Sequence, residues 1–186
     1  MNKLACVLLL WCNASGALFA AEQFAKYEEG SYYLDAKFTV EASAEEVISL
    51  LTDYENIAQL HPSIVESEIL DTSKEDRTKI RTVVKDCVIF FCKEVVRVEN
   101  VSQDGLTSIA AEVVPFLSDL RSGHTDWTFM QQGDVTTVTY QSSMQPKFWI
   151  PPFIRSHTVT KKLEKRIMEM VMRIQAKAPN YSRIAE

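Results

Sequence analysis

The sequence predicts an α+β domain in which an antiparallel sheet packs against one long C-terminal helix. Three observations carry that prediction. From Trp149 through Pro151-Pro152 to about Lys177, the apolar residues Ile154, Val159, Leu163, Ile167, Val171 and Ile174 recur at helical spacing. Lys161, Lys162, Glu164, Lys165, Arg166, Glu169 and Arg173 fill the gaps, giving one apolar stripe with a charged back. After Pro62 the apolar period changes to two, that of half-buried strands. No strand–helix–strand alternation occurs, so neighbouring strands pair antiparallel, and the terminal helix must bury its stripe on their sheet.

The elements follow in order. Residues 1–20 read as a secretory signal peptide: Lys3 is a short positive region, Leu4–Cys12 (LACVLLLWC) an apolar run, and small residues lead to Phe19-Ala20-Ala21. The run is short for a bilayer span, and an uncleaved anchor is the competing reading. Leu10-Trp11 before Cys12 do not fit a lipidated cysteine. Residues 21–30 read as a linker, Tyr32–Val40 as the first strand. Ser43-Ala44-Glu45-Glu46 is a capping box that opens a short helix through Val47, Ile48, Leu50 and Leu51. Asp53 is placed to cap a second short helix, Tyr54–Leu60, which ends at His61-Pro62.

About six to seven strands are expected in all. Ile64–Leu70 precedes a turn at Asp71–Asp76; Arg77–Asp86 and Lys93–Val101 form a hairpin; Gln103-Asp104-Gly105 turns into Leu106–Val114. An irregular piece, Pro115–Gly123, leads to His124–Met130 and Val135–Met144, joined through Gly133 where φ is expected to be positive. Pro146 and Pro151-Pro152 bracket the apolar loop Lys147-Phe148-Trp149-Ile150, and paired prolines suit a helix N-terminus. Residues 179–186 read as a tail.

Of four cysteines, Cys6 and Cys12 belong to the signal, leaving Cys87 and Cys92 across a four-residue hairpin tip. In an exported chain such a pair is expected to bridge; two thiolates with no nearby histidine make a poor zinc site. Loss of Lys3 with the signal moves the formal charge from −5 to −6, and a pI near 5.3 offers no basic field for nucleic acid. No H-E-x-x-H, P-loop, dinucleotide fingerprint or G-x-S-x-G elbow is present, so neither metal nor cofactor is expected.

The candidate chemistry is therefore thin, and mostly apolar. His124 with Asp126 on one strand face, and Tyr140, are the acid/base candidates; a solvated histidine is the competing reading. His61 before Pro62 reads as a turn residue. Phe116, Trp127, Phe129, Val138, Tyr140, Met144, Phe148, Trp149, Ile154, Val159, Leu163 and Ile167 are candidates for a ligand cavity, with Tyr140, Ser142 and Arg121 as orienting polar groups. The same residues also suit an ordinary packed core. Val88-Ile89-Phe90-Phe91, and Phe148-Trp149-Ile150 with Phe153, are apolar loop tips and are assigned to membrane contact or gating; burial by neighbouring strands is the alternative. Lys161, Lys162, Lys165 and Arg166 read as the solvated back of the helix.

Ser43-x-x-Glu46-Val47-x-x-Leu50-Leu51-x-Asp53-Tyr54, then Pro62 and a strand, Gly123-x-x-x-Trp127-x-Phe129 and the proline-led terminal helix together resemble the START-like (SRPBCC) superfamily. Within it the chain is most similar to the coenzyme Q-binding START-domain and polyketide cyclase/dehydrase group, over residues 31–178. The resemblance implies a helix-grip fold, a curved antiparallel sheet around the long helix with two short helices after the first strand and an apolar cavity between. It also implies a hydrophobic partner, a lipid or an isoprenoid- or quinone-like molecule. The expectation is an exported binding protein, periplasmic in a Gram-negative source and otherwise secreted, that holds or transfers such a ligand. A cyclase- or dehydrase-like enzyme and a protein-interaction module are the alternatives.

Overall fold

The computed structural model describes residues 22–74 and 77–183; the signal peptide expected at 1–20 lies outside the described residues. Eight strands form one antiparallel sheet: β1 (Glu22–Glu28), β2 (Ser31–Val40), β3 (Ile64–Lys74), β4 (Arg77–Val88), β5 (Phe91–Asp104), β6 (Ser108–Val113), β7 (Leu120–Gln132) and β8 (Val135–Pro146). Their spatial order is β1-β2-β8-β7-β6-β5-β4-β3. The helices are α1 (Ala44–Thr52), α2 (Pro152–Arg155) and α3 (His157–Lys177). This is the helix-grip arrangement, with one strand more than expected.

The extra strand is β1, which replaces most of the expected linker. Its alternation is Glu-Gln-Phe-Ala-Lys-Tyr-Glu, with Ala25 opposite Leu34 and Tyr27 opposite Tyr32. An edge strand faces solvent along one side and carries charges, which makes it look like a linker in sequence. The turn to β2 has positive φ at both Glu29 and Gly30. Two positive φ values make a tight hairpin, but Glu-Gly is a weaker signal for it than Asn-Gly. Likewise β3 continues through Lys74 across the expected turn, with register shifts at Ile64/Glu66, Ile69/Asp71 and Asp71/Lys74.

Register places one continuous set of side chains on the inner face. One row runs Leu34, Ser142, Thr125, Ala111, Val101; the next contains Ala36, Tyr140, Trp127 and Ile109. Gly123 permits close packing of this sheet: a Cβ there would sit 2.7 Å from Val113 Cγ2.

Local signals set the helices. Ser43 Oγ accepts from the Glu46 amide while the Glu46 carboxylate accepts from the Ser43 amide, closing the capping box. Asp53 stands at the N-cap position of the 3₁₀ turn Tyr54–Gln59, but its side chain makes no capping hydrogen bond to a backbone amide. Its carboxylate instead accepts from Asn56 Nδ2 and from the Tyr181 hydroxyl, so the expected C-terminal tail begins with a turn, Ala178–Arg183, folded onto α1. The terminal helix is also not one rod. Pro152 starts α2, and the helix breaks at Ser156. There Thr160 Oγ1 donates back to the Ser156 and His157 carbonyls, a pattern that bends helices.

Cys87 and Cys92 are bridged, and their strands run on to the pair Val88–Phe91, so the tip is only Ile89-Phe90. Closing this short loop in the unfolded chain should contribute about 2 kcal/mol. The double variant Cys87→Ser/Cys92→Ser is therefore expected to lose about 2 kcal/mol in oxidising urea titrations. An unchanged midpoint would show that the hairpin is set by its strands alone.

Candidate functional site

The helical stripe is used unevenly. Toward its C-terminal end Ile167, Val171 and Ile174 are buried, and α3 lies mainly against β1 and β2. It meets β4 only sparingly. Toward its N-terminal end Val159 and Leu163 are partly buried and face a cavity of about 320 Å³ between α3 and the sheet. That lies at the small end of the range for ligand sites. The wall is apolar over most of its extent, drawing on Leu34, Ile80, Val101, Ile109 and Ala111 from the sheet and on Ile57 and Leu60 from the segment after α1.

Seven of the candidate cavity residues lie on this wall: Trp127, Tyr140, Met144, Phe148, Val159, Leu163 and Ile167. Trp127 and Tyr140 are opposed across β7 and β8 with ring centroids 4.5 Å apart. Five do not. Phe129 and Val138 belong to the close-packed cluster with Phe38, Val40, Val47 and Ile48, and Ile154 is fully buried in α2. Phe116 and Trp149 are exposed on loops, at 98% and 70%. Of the orienting groups, Tyr140 faces the cavity, whereas Ser142 is paired with Thr125 Oγ1 at 2.9 Å and Arg121 is exposed.

The alternation of β7 settles where the acid/base candidates stand. Thr125 and Trp127 point inward, so His124 and Asp126 point outward. His124 is held between Asp126 (Nε2 to Oδ2, 2.6 Å) and Glu112 (Nδ1 to Oε2, 2.7 Å). The Glu112 hydrogen bond raises its pKa, but the group is on the far side of the sheet from the cavity. Tyr140 alone of the three faces inside. Burial raises its phenol pKa, so it serves as a hydrogen-bonding group at neutral pH.

Two polar stations on the cavity wall are absent from the cavity residues expected above. Arg97 and Glu99, both on the inner face of β5, form an ion pair with Nε and Oε2 3.0 Å apart, and Glu99 is 3% exposed. Arg97 Nε has no aligned hydrogen-bond acceptor although it is enclosed, so charge rather than directed bonding holds the pair. Toward the β4–β5 tip, Asp86 accepts from Arg166 Nε (2.7 Å) and Nη2 (3.0 Å) and from Ser63 Oγ (2.7 Å), and it pairs with Lys162 Nζ at 3.0 Å. Burial alone would raise the Asp86 carboxyl, but the bonds from Arg166, Ser63 and Lys162 outweigh it and hold the group well below the carboxylate range. Lys162 and Arg166 thus latch α3 to β4, a correction to the expected solvated back; Lys161 and Lys165 pair with Glu164 and Glu169. His61 also lines the cavity. Its pKa is pushed down to about 4, first by burial and then by the charges of Arg97 and Arg166.

The hairpin tip divides by strand alternation. Val88 and Phe91 line the cavity, whereas Ile89 and Phe90 are exposed at 69% and 74%. Among the described residues no cluster of His, Cys, Asp and Glu could hold a metal ion, and no helix is long and apolar enough to cross a membrane.

An open antiparallel sheet that grips a long helix over an apolar cavity defines a START-like protein. The family model for polyketide cyclase / dehydrase and lipid transport matches residues 34–178, and the chain belongs to that family. No curated protein matches it in sequence. Among solved structures it is similar to the Zhui aromatase/cyclase of a Streptomyces species, at TM-score 0.67 and 15% identity over 83% of this chain and 98% of that one. It is also similar to a STAR-related lipid transfer protein of Xanthomonas axonopodis, at TM-score 0.63 and 20% identity over 83% and 93%. A START superfamily protein of Mycobacterium smegmatis aligns at TM-score 0.62 and 16% identity over 82% and 98%. These likenesses establish the fold.

Proposed function

We propose that the protein binds one hydrophobic ligand, a lipid or isoprenoid-like molecule, between α3 and the sheet, and carries it without changing it covalently. The observation that supports this most directly is the apolar cavity of about 320 Å³, whose lining runs from the core side of the sheet out to Val88 and Phe91 of the β4–β5 hairpin. Its two polar stations are each already charge-compensated, so they suit orienting a ligand's polar end more than attacking a bond. The signal-like residues 1–20 and the Cys87–Cys92 bridge support export, to the periplasm in a Gram-negative source. The cyclase- or dehydrase-like alternative keeps Tyr140 on the wall but loses His124 and Asp126 to the outer face.

Ala111 tests the reading, because it is a small side chain on the cavity wall, between Thr125 and Val101 in the Leu34–Val101 row. Ala111→Phe fills space that a guest would occupy. The expected result is uptake of a fluorescent acyl-chain probe weakened by about tenfold or more, with little loss of stability because an existing void is filled. Equal probe affinity in the variant would contradict an internal ligand site.

A further inference from the structure

Thirteen large hydrophobic side chains are exposed among the described residues, and six of them gather on three neighbouring loops. Ile89 and Phe90 are the β4–β5 tip; Phe116 and Leu117 lie in the 3₁₀ turn between β6 and β7; Trp149 lies between β8 and α2, and Phe153 in the short α2 that follows. Contacts tie the loops together. The Phe90 and Phe153 rings are 6.4 Å apart. Lys147 Nζ donates to the Pro115 and Ser118 carbonyls, and Lys93 Nζ sits 5.1 Å from the centre of the Phe148 ring. Val88, Phe91, Pro146, Phe148 and Ile150, interleaved with the exposed residues, line the cavity, so the apolar surface is continuous with the cavity wall at this end.

Two further features mark this surface. Ile89 adopts φ +58°, a left-handed conformation that a β-branched residue rarely takes and that glycine would take without cost. An exposed isoleucine held there against local preference points to a use for the side chain. The charge is also the reverse of the whole molecule's. The chain carries −5, yet Lys93 and Lys147 make no ion pair among the described residues. Nearby Glu94 is paired with Lys85, and Asp86 with Arg166 and Lys162; Asp119, whose Oδ2 accepts the Val96 amide, keeps one negative charge against the two lysines, so the excess is positive.

We propose that these three loops form a docking surface for an anionic lipid bilayer, holding this end of the cavity against the membrane. Exposed Trp and Phe suit the headgroup boundary, and uncompensated lysines beside them favour anionic headgroups. The proposal rests on the ligand-carrier reading for its purpose, since a lipid could then pass from bilayer to cavity without crossing water.

The test is co-sedimentation of the full, oxidised chain with phosphatidylcholine vesicles that do or do not contain phosphatidylglycerol. The expected result is association with the anionic vesicles, weakened by salt, and little with the neutral ones. Phe90→Ser/Trp149→Ser/Phe153→Ser should lower that association by about tenfold or more while leaving urea unfolding and bound ligand unchanged. Lys93→Glu should erase the preference for anionic vesicles. Ile89→Gly should weaken association while unfolding at the same or a higher urea concentration, which separates docking from folding. Wild-type protein that ignores vesicles, as a protein-docking surface would, or a triple variant that binds like wild type, overturns the proposal. Native mass measurements keep the two ideas apart: vesicle binding by protein with no internal ligand would defeat the carrier and leave the docking surface standing.

Discussion

Glu99→Leu is expected to destabilise the protein by about 3 kcal/mol, at the lower end of what breaking a buried ion pair costs. The carboxylate is 3% exposed and its partner Arg97 would be left charged inside the cavity. The lower end applies because the Arg97 side chain retains 26% exposure and so some hydration. Adding Arg97→Met removes the stranded charge, and the double variant should recover most of the loss. Urea unfolding of the two single variants and the double variant measures this directly. A Glu99→Leu protein within about 1 kcal/mol of wild type would mean that water reaches Arg97 freely and that the inner wall of the cavity is wet.

Mild acid should destabilise the protein through His61. With its folded pKa near 4 against an ordinary value of 6.5, the imidazole is neutral in the fold and takes up a proton more readily when unfolded. Its contribution is complete above about pH 6.5, falls as pH drops from 6.5 towards 4, and levels off below that, for a total of about 3 kcal/mol. The groups facing it are Arg97 and Arg166, which oppose protonation, and Asp86 and Glu169, which favour it. Asp86 does not confuse the experiment. Its carboxyl pKa is lowered in the fold, so its stabilising contribution is full above the ordinary aspartate value and declines only as pH falls below that value, outside the interval from pH 7 to 4.5. His61→Phe should reduce the difference in stability between pH 7 and pH 4.5 by about 2 kcal/mol. The same acid sensitivity in the variant would place its origin elsewhere.

The sequence carried the periodic features well. The period-two runs gave seven of the eight strands, Ser43 and Glu46 gave the start of α1, and the paired cysteines gave the bridge. Side-chain alternation, once β7 was in register, also decided that Trp127 and His124 look opposite ways. What could not be seen was depth. Val138 and Tyr140 share a face, yet one is packed in the cluster with Phe129, Phe38 and the α1 residues Val47 and Ile48 while the other meets open space, a difference of tertiary neighbours that alternation along β8 does not carry. Charged residues at inward positions were also hidden. Arg97 and Glu99 follow the inner-face spacing of Val95 and Val101, so extending the alternation through them would have found the pair. Asp86, Lys162 and Arg166 are far apart in sequence, and no local pattern links them. The β1 edge escaped because its solvent-facing side carries Glu22, Lys26 and Glu28.

On the proposed function, the space beneath the N-terminal half of α3 is a binding site. Native mass spectrometry of protein purified from its own host, before and after extraction with organic solvent, tests it most directly. The expected spectrum shows the bridged chain with one apolar molecule attached, lost on extraction and regained when lipid extract is added back. A bare polypeptide mass throughout, with nothing taken up from added lipid, would contradict it.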